Sequence, residues 1–198
     1  ALCIAGKEFN KVVFLLHGSF AKTYKGHGTD RALVAGILGM EPHDERLRNA
    51  IAIAEQSGLE IEFREADLGY VHPNTVKIIF ERKDDTIVEV TGSSIGGGNI
   101  LVTNIDGYQV EFTGEYATLF IRHRDEKGVI SRVTTVLAHN GINIATMKVS
   151  RKDRGEEASM IIEADQAISS NVEKELLNNS SIISARAINP TRGENIDV

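Results

Sequence analysis

The order of apolar patterns over residues 117–188 restricts the fold more than any other feature of the sequence. It predicts a strand, a helix, two strands joined by a turn at Asp153–Gly155, a second helix and a last strand. A capping box from Ser170 to Glu173 marks the start of the second helix. A βαββαβ order makes an antiparallel sheet with both helices on one face. The other face and one edge are then available for pairing with another subunit.

A second feature is the segment Gly18–Asp30, which lies between an apolar run and a helical pattern. We expect it to form a loop between a strand and a helix. It carries Lys22, Lys25 and, between two glycines, His27, so that backbone amides and a titratable ring can reach one ligand together. The helix that follows would offer unpaired N–H groups to a carboxylate or phosphate. The residues alone leave two interpretations open, a binding loop for a small anion and a surface connection with an incidental histidine.

The rest of the N-terminal half predicts helices and strands joined by turns. Residues 44–57 have the spacing of an amphipathic helix, and His72–Thr75 predicts a turn before an apolar strand. Ser94–Gly98 places three glycines between two strands, which indicates either a tight connection that a backbone or ligand approaches closely or a flexible hairpin. Asp106-Gly107 predicts a two-residue hairpin turn. The pattern changes near residue 113, so we expect two domains.

Composition excludes several classes of function. The formal charge of −6, without a concentrated basic face, argues against nucleic-acid binding. Cys3 is the only cysteine, so the chain can form no internal disulfide and cannot ligate an iron–sulfur cluster by cysteines alone. This cysteine usage predicts a cytoplasmic protein. No apolar segment approaches the length of a membrane span, so we expect no membrane partner.

The C-terminal half resembles the ACT domain, a small amino-acid-sensing module, through His123–Ile130 and Gly141–Ala145. In that family, backbone amides at the start of the first helix hold the carboxylate of an amino acid, and a polar residue meets its amino group across a paired subunit. Lys127 stands where the family usually has proline, so both amino-acid binding and dimerisation alone are open. We expect a homodimer through this domain. The residues that would contact a regulatory amino acid are His123, Asp125, Gly128, Val129, Ile130 and Asn143.

The N-terminal half resembles the beta chain of the iron–sulfur-dependent L-serine dehydratases. Three motifs carry this resemblance in the expected order, Gly18–Asp30, His72–Thr75 and Ser94–Gly98. It implies an α+β protein with a catalytic domain at 1–113 and an ACT domain at 114–189, and the polar residues 190–198 predict a poorly ordered tail. The catalytic domain would have a mixed sheet with helices, like the anion-sensing domain of D-3-phosphoglycerate dehydrogenases. A serine-rich segment that the family carries upstream has no counterpart before Gly18, so we expect this domain to lack its first segment.

The resemblance implies an enzyme that converts L-serine to pyruvate and ammonia. One iron of a [4Fe–4S] cluster acts as a Lewis acid on the substrate hydroxyl, while a base removes the α-proton. The family holds this cluster on a separate alpha chain, which agrees with the single cysteine here. His27 is the candidate acid or base, whereas His17 is expected to be structural and His43 to lie on the surface. The residues expected to bind L-serine or orient His27 are Ser19, Lys22, Thr23, Lys25, Gly28, Thr29, Asp30, His72, Asn74 and Thr75.

Two other functions fit the same features. The first is a non-catalytic protein that senses an anion or an amino acid, because an anion-sensing domain precedes an ACT domain in some D-3-phosphoglycerate dehydrogenases. The second is a scaffold that only dimerises. Turnover of L-serine with an alpha chain would separate the enzyme from both.

Overall fold

The computed structural model describes residues 1–151 and 155–190. The chain divides into two compact units, of which the first is Ala1–Gly107 and the second begins at Tyr108. Most of the turn expected at Asp153–Gly155 and of the tail expected at 190–198 lies outside the described residues. In the described part of the chain, no helix is long and apolar enough to cross a membrane.

The first unit is built on a mixed sheet. Its strands are β1 (Phe9–Leu16), β2 (Glu60–Glu65), β3 (Thr75–Arg82), β4 (Ile87–Gly96) and β5 (Asn99–Ile105). They lie in the order β2-β1-β3-β4-β5, in which β1 is parallel to β2 and the other neighbours are antiparallel. Leu16 pairs with Val76, so the end of β1 and the start of β3 lie at the same edge of the sheet. The predicted mixed sheet is therefore confirmed.

Short helices connect and cover these strands. They are α1 (Leu2–Ala5), α2 (Gly18–His27), α3 (Thr29–Ile37), a 3-10 helix (Glu45–Asn49) and α4 (Ala50–Gln56). The single helix predicted over residues 44–57 is thus two shorter ones. The side chain of Asp44 accepts a hydrogen bond from the backbone N–H of Arg46 at 2.9 Å, which caps the first of them. Gly58 follows the second with a positive φ of 79°.

The expectation of a loop over Gly18–Asp30 is wrong, because most of this segment is helix α2. Gly28 ends α2 in the left-handed conformation with a φ of 71°, and α3 begins at the next residue. The ring of Tyr24 stacks on Phe63 with 5.6 Å between centroids, and Phe63 stacks on Phe14 at 4.8 Å. This packing buries one face of α2 and outweighs the low helix propensity of its glycines, which is why the glycine content was misleading.

The second unit contains the predicted βαββαβ order. Its elements are β6 (Tyr108–Phe112), β7 (Ala117–Arg124), α5 (Val129–His139), β8 (Ile144–Arg151), β9 (Glu157–Ala164), α6 (Ser170–Leu177) and β10 (Ile182–Ile188). Strands β7 to β10 form an antiparallel sheet in the order β10-β7-β9-β8. Leu137 of α5 and Leu176 of α6 are buried in one cluster with Leu119 and Ile162 of the sheet. Both helices therefore cover the same face, as predicted.

The capping box predicted at the start of α6 is absent. Ser169 is the N-cap residue, and its side chain makes no capping hydrogen bond. The carboxylate of Glu173 instead accepts the backbone N–H of Ala187 at 2.6 Å. The prediction was wrong because Ser169, and not Ser170, is the N-cap, so that Glu173 is not three residues after it, and because Glu173 bonds to strand β10.

Candidate functional site

The start of α2 packs against the segment that precedes β3. The backbone N–H of Ser19 donates to the carbonyl of Pro73 at 2.8 Å, and that of His17 donates to the carbonyl of Thr75 at 3.0 Å. Gly18 has a φ of 56°, and a Cβ atom there would lie 2.7 Å from the Pro73 oxygen and 3.0 Å from its Cα atom. Only glycine fits this approach of two backbones.

Two buried hydroxyl groups extend this contact to β4. The Thr75 hydroxyl donates to the carbonyl of His72 at 2.6 Å and lies 2.7 Å from the Ser93 hydroxyl. Because a carbonyl can only accept, the Thr75 hydroxyl uses its proton in that bond, and the Ser93 hydroxyl must donate to Thr75. The backbone N–H of Ser94 donates to the carbonyl of Asn74 at 3.0 Å. Residues 72–75 are thus tied to β4 as well as to α2.

Segments from three parts of the sequence therefore meet at one place, which we call the motif junction. Its members are His17, Gly18, Ser19, His72, Pro73, Asn74, Thr75 and Ser93. The glycines of the third motif extend beyond it into the turn between β4 and β5. A Cβ atom at Gly96 or Gly98 would meet nothing within 4 Å. The hairpin interpretation of these glycines therefore holds, and no described part of the chain packs closely on either of them.

His27 lies away from the motif junction. It is the last residue of α2 and its side chain is exposed. It is nine positions after Gly18, which corresponds to about 14 Å along a helix axis. The described chain thus presents His27 to solvent rather than burying it among partners.

The other residues expected to bind substrate fall into two groups. Ser19, His72, Asn74 and Thr75 belong to the motif junction. The remaining residues lie along the helix or at the α2–α3 connection, and these are Lys22, Thr23, Lys25, Gly28, Thr29 and Asp30.

The start of α3 already carries a negative charge. The carboxylate of Asp30 accepts the backbone N–H of Arg31 at 2.8 Å and lies 3.9 Å from the Arg31 Nε atom. An anion expected at this helix start would share the first turn with that carboxylate. The motif junction, rather than this turn, is where the predicted residues are brought together.

Sequence reasoning missed Ser93 and gave His17 only a structural role. The Nδ1 atom of His17 accepts the backbone N–H of Leu68 at 3.1 Å, and 17% of its side chain is exposed. The side chain of Tyr70, in the same loop, is fully exposed. A histidine directly before Gly18, at the end of an apolar strand, is the one signal in the sequence that could have drawn attention to this contact.

The side chains of this chain do not fit an iron–sulfur cluster. Among the described residues, no group of three or more histidine, cysteine, aspartate or glutamate side chains could hold a metal ion. Cys3 is exposed and is the single cysteine of the sequence. A [4Fe–4S] cluster takes four thiolates. Any such cluster would need its ligands from another polypeptide.

In the second unit, the loop after β7 is occupied by bonds within the chain. The carboxylate of Asp125 accepts the backbone N–H of Gly155 at 3.0 Å and the Nε–H of Arg151 at 3.1 Å. The Gly155 N–H, followed by the charge of Arg151, lowers the pKa of Asp125 below its usual value. Gly128 is the N-cap residue of α5 with a φ of 83°, and no side chain caps this helix.

The other residues expected to contact a regulatory amino acid differ in accessibility. His123 is buried, and its Nδ1 atom donates to the carbonyl of Arg124 at 2.7 Å. Val129 is buried as well, whereas Ile130 is exposed. The side-chain amide of Asn143 donates to Asp165 at 2.6 Å. Asp125 and Asn143 would have to exchange these partners in order to bind a ligand.

Comparison with known proteins gives matches to both units. The family described as serine dehydratase beta chain matches residues 4–58, and the ACT domain matches residues 117–180. The chain is 43% identical over 189 residues to the probable L-serine dehydratase beta chain of Bacillus subtilis, covering 95% of this chain and 85% of that protein. It is 40% identical over 178 residues to the L-serine dehydratase beta chain of Peptoniphilus asaccharolyticus, covering 89% and 80%. It is also 31% identical to the D-3-phosphoglycerate dehydrogenase of Bacillus subtilis, over 89% of this chain but 34% of that protein.

Proposed function

Because the chain belongs to the family of L-serine dehydratase beta chains, we propose that its first unit forms one wall of an active site that an alpha chain completes. The complete enzyme converts L-serine to pyruvate and ammonia. The observation that carries this proposal is the motif junction, where three distant segments of the first unit are held together by hydrogen bonds. The relatives named as serine dehydratase beta chains favour this function over a sensor without catalysis.

The alpha chain is the proposed holder of the [4Fe–4S] cluster. The cluster supplies a Lewis acid for the substrate hydroxyl when it is bound. This chain has one exposed cysteine, so its own contribution consists of binding and proton-transfer groups. A single free cysteine also suits the reducing cytoplasm, where we place the enzyme.

His27 is the proposed acid or base. An active site shared between two chains needs a group that one chain exposes to the other, and His27 is exposed at the end of α2. Histidine exchanges protons near neutral pH and so suits the removal of an α-proton or the protonation of a leaving hydroxyl. We assign the motif junction, about 14 Å from His27 along the helix axis, to the wall from which His72 and Asn74 would reach L-serine. The helix residues Lys22, Thr23 and Lys25 and the connection Gly28–Asp30 lie between or beside these positions.

Reconstitution with an alpha chain tests the function directly. The chain is mixed under anaerobic conditions with the alpha chain of a related dehydratase, and pyruvate is measured from L-serine. We expect turnover by the mixture and none by either chain alone. A complex that forms, carries a cluster and still releases no pyruvate would contradict the proposed function.

The second unit is the proposed regulatory and dimerising part. Gly128, Val129 and Ile130 begin a helix without a side-chain cap, so their backbone N–H groups are proposed to hold the carboxylate of an amino acid. Asn143 and Asp125 are proposed to meet its amino group after they release their present partners. Strand β8 is an edge strand of the sheet with mostly exposed side chains, and we propose that it pairs with its copy in a second chain.

Light scattering and calorimetry test this arrangement. We expect the isolated chain to have the mass of a dimer and to release or absorb heat with L-serine as the probe. Val149→Lys on β8 should give a monomer, because a charged edge strand disfavours pairing. Ile183→Lys on β10 is the matched control, since both residues are 39% exposed and lie on opposite edge strands of the sheet. If Val149→Lys remains a dimer, the proposed pairing through β8 is contradicted. If L-serine gives no heat, the proposed amino-acid binding is contradicted.

A further inference from the structure

His17 holds the loop between β2 and β3 by its side chain. Its Nδ1 atom accepts the Leu68 N–H at 3.1 Å. The carboxylate of Asp67 lies farther from the same nitrogen, at 3.7 Å, and already accepts the Gly69 N–H at 2.9 Å. A proton on Nδ1 would point at the Leu68 hydrogen. The neutral ring with its proton on Nε2 therefore fits this arrangement.

Two backbone hydrogen bonds tie the ends of the same loop to Leu16 and to His17 itself. The N–H of Ala66 donates to the carbonyl of Leu16 at 2.9 Å where the loop begins. The N–H of His17 itself donates to Thr75 at 3.0 Å where the loop ends. The imidazole bond to Leu68 thus adds a side-chain tie to two backbone ties. It is the one of the three that a substitution can remove without breaking the main chain.

The loop held in this way carries two of the proposed substrate-binding residues. The His72 Nδ1 atom accepts the N–H of Asn74 at 3.1 Å, and the His72 carbonyl accepts the Thr75 hydroxyl. Residues 72–74 are bonded to α2 and β4 at the end of this loop, and the imidazole bond of His17 to Leu68 holds its earlier part. The side chain of His72 is exposed, so burial does not fix its position.

We propose that His17 is a positioning residue of the dehydratase, which acts through the Leu68 N–H to hold His72 and Asn74 in their substrate-binding arrangement. This inference rests on the proposed function, because it assigns those two residues to L-serine binding. It goes beyond the structural role expected for His17, since its effect should appear in substrate affinity. Loss of the tie should raise KM for L-serine, with a smaller change in kcat.

Two substitutions distinguish the roles of the two ring nitrogens of His17. In His17→Asn, the side-chain oxygen can take the place of Nδ1 and accept the Leu68 N–H. In His17→Gln, the oxygen reaches the place of Nε2 and leaves Leu68 without an acceptor. We expect the reconstituted enzyme to keep its KM within about twofold with asparagine. With glutamine we expect a KM about fivefold to tenfold higher, as for the loss of one hydrogen bond in a part-buried position.

Hydrogen exchange of the isolated chain provides a second measurement that needs no alpha chain. The amide of Leu68 should stay protected with His17→Asn and exchange faster with His17→Gln. His43→Gln, at an exposed histidine of the same unit, is the control and should change neither quantity. If glutamine preserves both KM and protection, or if asparagine loses them, His17 does not act through Leu68. If the unmodified complex forms no pyruvate, the proposed function fails, while the exchange result still decides whether His17 holds the Leu68 amide.

Discussion

Replacement of His27 by glutamine is expected to lower kcat of the reconstituted enzyme by about 10²- to 10⁴-fold, the usual contribution of a general acid or base. Glutamine keeps a polar side chain but cannot exchange protons near neutral pH. The exposed side chain makes little contribution to packing, so the free energy of unfolding should change by no more than about 0.5 kcal/mol. Pyruvate formation at saturating L-serine measures the first quantity, and urea denaturation measures the second.

His139→Gln is a closely matched control for this experiment. His139 is the last residue of α5 and is exposed, as His27 is in α2. This variant makes the same substitution at the same kind of helix end, but in the second unit, so kcat of the complex should be unchanged. Equal rates for the His27 variant and the unmodified complex would show that another group transfers the proton.

Gly18→Ala is expected to destabilise the first unit by about 2–5 kcal/mol, from overpacking and from a left-handed backbone together. The methyl group would be placed 2.7 Å from the Pro73 oxygen, which is a backbone atom and cannot rotate away. A positive φ of 56° adds a cost for any residue with a Cβ atom. Overpacking at such a contact costs about 1–3 kcal/mol by itself. Urea denaturation followed by circular dichroism should show the lowered midpoint, and mixing with the alpha chain should give little active complex.

Gly26→Ala in the same helix should instead raise the free energy of unfolding. A Cβ atom there meets nothing within 4 Å, and Gly26 lies inside α2 without a positive φ. Alanine in a helix interior is favoured over glycine by about 0.5–1 kcal/mol. Equal midpoints for the two variants would mean that the contact between Gly18 and Pro73 does not constrain the fold.

The second unit was predictable because its apolar periodicity changes clearly between strands and helices. Val129 and Val133, at helical spacing, are buried as expected, whereas in β9 the residues between Ala158, Met160 and Ile162 are buried as well, so this strand is covered on both faces. The capping box failed because the sequence cannot show that Glu173 meets a distant strand. Local patterns were sufficient for the order of elements but not for long-range side-chain bonds.

The candidate site was only partly predictable, for a related reason. The three motifs that suggested the family are present, and membership of the family is confirmed by relatives at 43% and 40% identity. Their meeting point depends on the register of β3 against its neighbours, which pairs Thr75 with Ser93 and Leu16 with Val76. No local signal specifies that register. It was therefore not predictable that the motifs would meet at the start of α2 and not around His27.

The two hydroxyl groups at the junction also have a fixed polarity. Thr75 gives its proton to the His72 carbonyl, and Ser93 gives its own to Thr75. Both oxygens are left with lone pairs and no hydrogen to offer. Because both residues are buried, this polarity acts on substitutions rather than on ligands. A neighbouring side chain that brings a hydrogen would be tolerated at the pair, whereas a carboxylate there would face only lone pairs.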